Sequence, residues 1–320
     1  MTASLTRRTT AARSRIAAVG AIAVVGALTL TACGDQTSSG TGSTKTQAGG
    51  SDAPLFDALP KKYQDSGKIK VGTDAAYAPM EYEEGGKIVG IDPDIAAALG
   101  KELGVEFVFT SGTFDGLISS LNTGRQDVVM SAMSDTKARQ EGLDDKGKKT
   151  GEGVDFVDYF NSGVSLLVKK GNPQKITSLD DLCGKKVAVQ RGTTYHDTFK
   201  AQAEKCKKDG KGTLTIEAFD TDAEAQTRVK SGGAVADLND YPVAAHIAKT
   251  AGGGNDFEVV GDQTDAGPFG IAVDKDNAEL RDALQKALNA IIKNGEYEKV
   301  LKKWDVTDSA VTEATINGGK

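Results

Sequence analysis

The chain has 320 residues, with 45 acidic against 39 basic side chains and a formal net charge of −6. An acidic chain with 6% aromatic residues lacks the basic, aromatic-studded surface that nucleic acid or an anionic membrane would require. Its two histidines, His196 and His246, sit in no ligand-spaced cluster, which argues against a metal centre.

Residues 1–32 read as a leader. Arg7, Arg8, Arg13 and Arg15 form a basic region without acids, and 16–30 is an apolar stretch that is short for a spanning helix. Leu30-Thr31-Ala32-Cys33-Gly34 follows with the form of a bacterial lipobox, which predicts cleavage before Cys33 and lipidation of its thiol. Loss of the four leader arginines takes the net charge from −6 to −10. Residues 33–55 are mostly Ser, Thr and Gly and are expected to form a flexible tether. About 265 residues remain, enough for two lobes.

Beyond the tether, short apolar strands alternate with helical segments, the pattern of an α/β fold. Residues 69–73, 105–110 and 127–132 predict strands; 94–103 and 115–123 predict helices, the first with Ile95, Leu99 and Leu103 on one face. Gly90-Ile91-Asp92-Pro93-Asp94 reads as a helix start, with Asp92 as cap and Pro93 in the first turn. Ser134-Asp135-Thr136-Lys137-Ala138-Arg139 reads as another, capped by Ser134. A helix start beside a guanidinium can hold a carboxylate. Residues 144–153, rich in Lys, Gly and Asp, read as a surface loop. A second unit has predicted strands at 164–168, 187–190, 214–219, 235–238 and 257–260, and helices at 194–205, 222–230 and 242–249. A strand at 269–273 and helices at 278–293 and 297–303 close the pattern before Trp304. Cys183 and Cys206 flank one strand–helix unit. In an exported chain they are expected to pair, two free thiols being the alternative.

Several phrases occur along the chain in one order: Gly72-Thr73-Asp74-Ala75-Ala76-Tyr77, the Gly90 to Asp94 phrase, Gln126 through Ser134 leading to Arg139, Phe156-Val157-Asp158-Tyr159-Phe160, Gln190-Arg191-Gly192-Thr193-Thr194, Asn239-Asp240-Tyr241, and Gly295-Glu296-Tyr297. Together they resemble the amino-acid-binding, family 3 class of solute-binding proteins of bacterial ABC importers, over residues 67–306. The resemblance implies an α/β, two-lobed periplasmic-binding-protein-like fold of type II, with an amino acid enclosed between lobes joined by two hinge strands. It assigns 56–162 to the first part of lobe 1, 163–265 to lobe 2, 266–308 to the return into lobe 1, and 309–320 to a tail. Crossings are expected near 161–165 and 264–269, where Gly163, Gly267 and Gly270 offer backbone freedom.

A buried amino acid needs a cation or amides for its carboxylate and an anion for its ammonium. The resemblance makes Arg139 the carboxylate partner, aided by amides at Ser134, Thr193 and Thr194, and Asp240 the ammonium acceptor. Asp240-Tyr241-Pro242 reads equally well as a helix cap. Tyr77 and Phe114 are expected to pack on the ligand side chain, core packing being the alternative, and Asp74 is expected to meet a polar side chain of the ligand, a structural hydrogen bond being the alternative. Ser131 and Ala132 end a strand facing the cleft. Asp74 with two aromatics favours a polar or cationic ligand side chain. No Ser-His-Asp, Cys-His or metal constellation is recognisable, so neither catalysis nor a cofactor is expected. The implied partners are a free amino acid, ABC permease subunits, and the outer face of the cell membrane through lipid on Cys33. The chain itself is expected to act as a monomer. A secreted dehydratase of the same fold and a binding protein feeding a signalling receptor remain as alternatives.

Overall fold

The computed structural model describes residues 50–320. The expected leader, Cys33 and most of the expected tether lie outside the described residues.

The chain opens with α1 (Lys61–Ser66), β1 (Lys68–Thr73), and a three-stranded flap of β2 (Ala76–Tyr77), β3 (Glu81–Glu84) and β4 (Lys87–Val89). Next come α2 (Ile91–Leu103), β5 (Glu106–Ser111), α3 (Leu117–Asn122), β6 (Val128–Val129) and α4 (Lys137–Glu141). A long strand, β7 (Asp155–Lys169), leads to β8 (Lys186–Gln190), α5 (Thr194–Lys208), β9 (Thr215–Phe219), α6 (Asp222–Lys230), β10 (Ala236–Asp240) and α7 (Tyr241–Thr250). A second long strand, β11 (Phe257–Val273), returns to α8 (Ala278–Asn294) and α9 (Glu296–Trp304).

Six strands lie in the order β10-β7-β11-β6-β1-β5. β1 is parallel to β5 and β6, whereas β7 and β11 run antiparallel to each other along most of their length. The parallel pair β8–β9 joins the other end through the Val235 amide, which donates to the Lys186 carbonyl at 2.8 Å. One α/β layer therefore gathers on β1, β5 and β6, another on β8, β9 and β10, and the two long strands connect them. The first layer is closed by α2, whose Ile91, Ile95, Leu99 and Leu103 repeat every fourth residue and are fully buried. The facing helix α8 buries Leu280, Ala283, Leu284, Ala287, Leu288 and Ile291 at the same helical spacing.

The strands predicted at 164–168, 257–260 and 269–273 are parts of β7 and β11. Residues 155–163 and 261–268 interrupt their strand formers with Asp, Asn, Gly and Pro, which are depleted in strands. They are extended because each long strand satisfies the backbone of the other, Val164 opposite Thr264 and Ser162 opposite Gly267. The register shifts between Val260 and Gly270, where the chain passes between layers. Gly163 and Gly270 lack the positive φ that backbone freedom would use. Gly270 serves close approach instead: a Cβ there would lie 2.7 Å from Phe156 Cβ.

Neither expected side-chain cap forms. Gly90 occupies the cap position of α2, and the Asp92 carboxylate is buried, accepting the Tyr159 hydroxyl at 2.7 Å and the Ala132 amide at 3.0 Å. Thr136, rather than Ser134, caps α4 by accepting the Arg139 amide. The 115–123 helix is divided, with a single tight turn at Phe114–Gly116 before α3.

Cys183 and Cys206 form a disulfide, with Cα atoms 5.4 Å apart and a sequence separation of 23. It ties the turn before β8 to the end of α5. Closing a loop of that length stabilises a fold by about 3 kcal/mol in the chain-entropy account. The Cys183→Ser/Cys206→Ser variant should lose stability of that order in urea unfolding, and reductant should then have no further effect on it.

Candidate functional site

Strand ends and helix starts from both layers converge on one narrow cleft. All ten predicted residues line it: Asp74 and Tyr77 after β1, Phe114 after β5, Ser131, Ala132 and Ser134 after β6, Arg139 in α4, Thr193 and Thr194 at the start of α5, and Asp240 at the end of β10. Three further lining residues, Glu81, Gln190 and Tyr195, were not singled out by the sequence reading.

The cleft is crossed by direct bonds. The Tyr77 hydroxyl donates to Asp240 Oδ2 at 2.7 Å and accepts the Asp240 amide at 3.2 Å. Gln190 Nε2 donates to Asp74 Oδ2 at 2.5 Å. Arg139 Nη2 donates to the Gly192 carbonyl at 3.1 Å. Gly192 has φ 77°, and a Cβ there would lie 2.6 Å from Asp115 Cβ, so only glycine permits this approach.

Arg139 is half-buried and oriented from two further sides. Its Nη1 donates to the Ser134 carbonyl at 2.8 Å, and its guanidinium lies over the Phe114 ring, 5.4 Å from the centroid. Burial lowers its pKa, but guanidinium remains the only cationic side chain among the lining residues.

Asp240 occupies the cap position of α7, yet its carboxylate makes no cap bond and turns to Tyr77 instead. Burial pushes its pKa up to about 7, against the lowering effect of hydroxyls on Tyr195, Tyr77 and Ser162. Burial likewise raises Asp74 to about 6, partly offset by Gln190. Both carboxyls are almost wholly removed from water and neither has a cationic partner among the described residues. A cation placed between them would remove that penalty.

Behind the cleft, the Asp74 amide donates to Ser131 Oγ at 2.9 Å, and that hydroxyl donates to Glu81 Oε1 at 2.8 Å. Burial, followed by the neighbouring Asp92, drives Glu81 well above the ordinary carboxyl range. Asp92 also fixes the amide of Ala132, whose φ of 43° is unusual for a residue with a side chain. Ser131 and Ala132 thus shape the floor of the cleft, with Glu81 and Asp92 beneath them. At the opposite wall, Thr193 caps α5 by accepting the His196 amide at 3.1 Å and donates to the Gln190 carbonyl at 2.8 Å. This presents the start of a 15-residue helix to the cleft beside Arg139.

Two α/β layers around a cleft with opposed charges, linked by paired strands, define a two-lobed binding protein. Residues 69–307 match the model of the bacterial extracellular solute-binding proteins, family 3, and the chain belongs to that family. It is 28% identical over 261 residues to the arginine-binding protein ArgT of Corynebacterium glutamicum, covering 81% of each chain. It is 30% identical over 257 residues to the L-cystine-binding protein TcyJ of Escherichia coli, covering 78% of this chain and 88% of the relative. Among solved structures, an ancestral arginine-binding protein bound to arginine superposes with a TM-score of 0.65 at 38% identity, over 74% of this chain and 98% of that one. The ancestral amino-acid-binding protein AncCDT-1, a precursor of cyclohexadienyl dehydratase, superposes with a TM-score of 0.65 at 38% identity, over 76% and 97%. The fold is the two-lobed type II arrangement. The named relatives are binding proteins, and this chain is a binding protein rather than an enzyme.

Proposed function

We propose that this protein captures a free amino acid with a cationic side chain outside the cytoplasm and delivers it to the permease subunits of an ABC importer. The observation that carries the reading is charge: one guanidinium lines the same cleft as two buried carboxyls that have no cationic partner among the described residues. A zwitterion satisfies Arg139 with its carboxylate and Asp240 with its ammonium. Asp74 is then left for a second positive group, as on arginine, lysine or ornithine. The arginine named in the relatives supports this choice.

Entry requires the Tyr77–Asp240 and Asp74–Gln190 bonds to part, because they occupy the space between the walls. Ligand binding is therefore linked to motion of one lobe against the other, with lobes dividing near 162 and 265 and the long strands as hinges. The released amino acid is chemically unchanged. Loss of water from prephenate or a related hydroxylated cyclohexadiene on incubation would instead favour the dehydratase-type reading.

The test is a thermal-shift screen of the twenty amino acids with L-ornithine added. A ligand that binds only the native state raises its apparent stability in proportion to the logarithm of its excess over Kd. Arginine, lysine or ornithine should give the largest rise, and aspartate and glutamate none. A larger rise with an acidic amino acid would overturn the charge argument.

Anchoring is proposed from the sequence alone. Cys33 carries lipid, and the monomeric receptor is tethered to the outer face of the cell membrane. Cys33→Ser should abolish lipid labelling and release the protein or leave it unprocessed; undiminished labelling would exclude Cys33.

A further inference from the structure

The segment 314–320 lies against the ligand cleft on the side of the connecting strands. Ile316 pairs antiparallel with Val157 of β7. The Asp158 amide donates to the Thr315 carbonyl at 2.9 Å, and the Asn317 amide donates to the Phe156 carbonyl at 3.1 Å. The Asn317 side chain reinforces this pairing, its Oδ1 accepting the Phe156 amide at 2.8 Å. The Gly318 amide still donates to Asp158 Oδ2 at 3.0 Å, and beyond it the segment reaches the turn that carries Arg139. There the Gly319 amide donates to Asp135 Oδ2 at 2.8 Å, and the Lys137 amide donates to the Lys320 carbonyl at 3.1 Å.

Asp135 joins these parts. It is 3% exposed, and its other carboxylate oxygen accepts Gln140 Nε2 at 2.6 Å, across the single turn of α4. Its own amide donates to the Pro268 carbonyl in β11 at 2.9 Å. The turn is thus bonded to both connecting strands, to β11 directly and to β7 through the segment. Contact at Gly319 is so close that a Cβ would lie 2.0 Å from the Asp135 carbonyl oxygen. Gly318 and Lys320 also line a second cavity, which shares Ser134, Thr194, Tyr195 and Asp240 with the ligand cleft.

A helix of five residues has little stability of its own, so the direction of Arg139 depends on what holds α4 at each end. From these contacts we infer that segment 314–320 is a strap that positions Arg139, with Asp135 as the positioning residue, by fixing the arginine-bearing turn to β7. The strap acts on the carboxylate end of the ligand: its hydrogen bonds go to β7 and to the Arg139 turn, and none among the described residues reaches Asp240 or Asp74. This deepens the amino-acid reading and rests on Arg139 as the carboxylate partner.

The test uses the full chain with Gly319→Val, and separately Asn317→Gly, which deletes the side-chain bonds but retains a residue suited to φ 55°. Hydrogen exchange is read first, on the ligand-free protein. The Gln140 amide, bonded to the Thr136 carbonyl, should exchange at least ten-fold faster in Gly319→Val, while amides of β1 keep the wild-type rate. Unchanged exchange at Gln140 overturns the strap, and equal acceleration in β1 shows general loosening and overturns it too. Calorimetric titration with L-arginine and L-argininamide follows. Both variants should lose ten-fold or more in affinity for arginine and less than two-fold for the amide, which lacks the carboxylate. Equal losses for both probes overturn the inference. Arg139→Ala with an intact strap checks the reading beneath it: if that variant keeps arginine affinity while Gln140 responds to the strap, the carboxylate assignment fails and the strap stands as a holder of α4.

Discussion

Arg139→Ala is expected to weaken binding of the cognate amino acid by tens to thousands of fold while the protein stays folded. The guanidinium has five N–H donors. The Ser134 and Gly192 carbonyls each take a donor, and the Phe114 ring supports one face of the guanidinium. The Ser134 and Phe114 contacts, which lie on Arg139's own side of the cleft, orient the guanidinium before ligand arrives, so less side-chain entropy remains to be lost on binding. Removing one member of a desolvated charge pair costs about 2–5 kcal/mol, much of it from stranding the other charge. Arg139 belongs to no apolar cluster, and the contacts it loses are to carbonyls at the cleft surface, so thermal stability should change little. Arg139→Lys should fall between wild type and alanine, because it retains the charge without the planar fork. Calorimetric titration of both variants, with circular dichroism to verify folding, decides the matter. Near-wild-type affinity in a folded Arg139→Ala protein would place the ligand carboxylate elsewhere.

Where local chemistry agrees with tertiary packing, the sequence was legible to the residue. Helix α6 was predicted at 222–230 and spans those positions, because Thr221 and Glu224 form a capping box at its start. Residues of the cleft were legible for a different reason. Strand ends in an open α/β sheet point to a common crevice, so polar and aromatic residues just beyond apolar strands mark it. Tyr77 and Phe114 were expected to pack on the ligand, whereas the contacts present here are to Asp240 and Arg139. Glu81 and Asp92 were missed because their role depends on a partner far along the chain. Asp92 sits in a sequence that reads as a cap, and only the fold brings Ala132 and Tyr159 to it. Gln190 and Tyr195 stood inside or beside a quoted phrase, but nothing local says that Gln190 reaches Asp74 across the cleft. The strand character of 155–163 and 261–268 was hidden for the same reason, since each depends on the other for its hydrogen bonds.

Asp240→Asn is expected to cost affinity on the scale of Arg139→Ala and to change how binding responds to pH. In the empty protein Asp240 titrates at about 7 and Asp74 at about 6, both raised mainly by burial. A ligand ammonium beside Asp240 and a side-chain cation beside Asp74 favour the ionised forms, so binding must expel whatever protons these groups hold. Affinity should therefore rise with pH, approaching ten-fold per unit for each proton released, and level off above about 7. The stability of the ligand-free protein moves the opposite way. A carboxyl whose pKa is raised on folding contributes stability that is full below its unfolded value near 4 and is lost as pH rises through its folded value. Between about pH 4 and 7 the ligand-free melting temperature should feel this loss, while the shift produced by saturating ligand grows. Asn at 240 keeps an acceptor for the Tyr77 hydroxyl but holds no titrating proton. The variant should bind about 2–5 kcal/mol more weakly at neutral pH, and its remaining pH dependence should come from Asp74 and flatten above about 6. Titrations at closely spaced pH in two buffers of different ionisation enthalpy count the protons directly. Release that is undiminished in Asp240→Asn would mean that another group holds the proton, and that the ligand ammonium does not sit against Asp240.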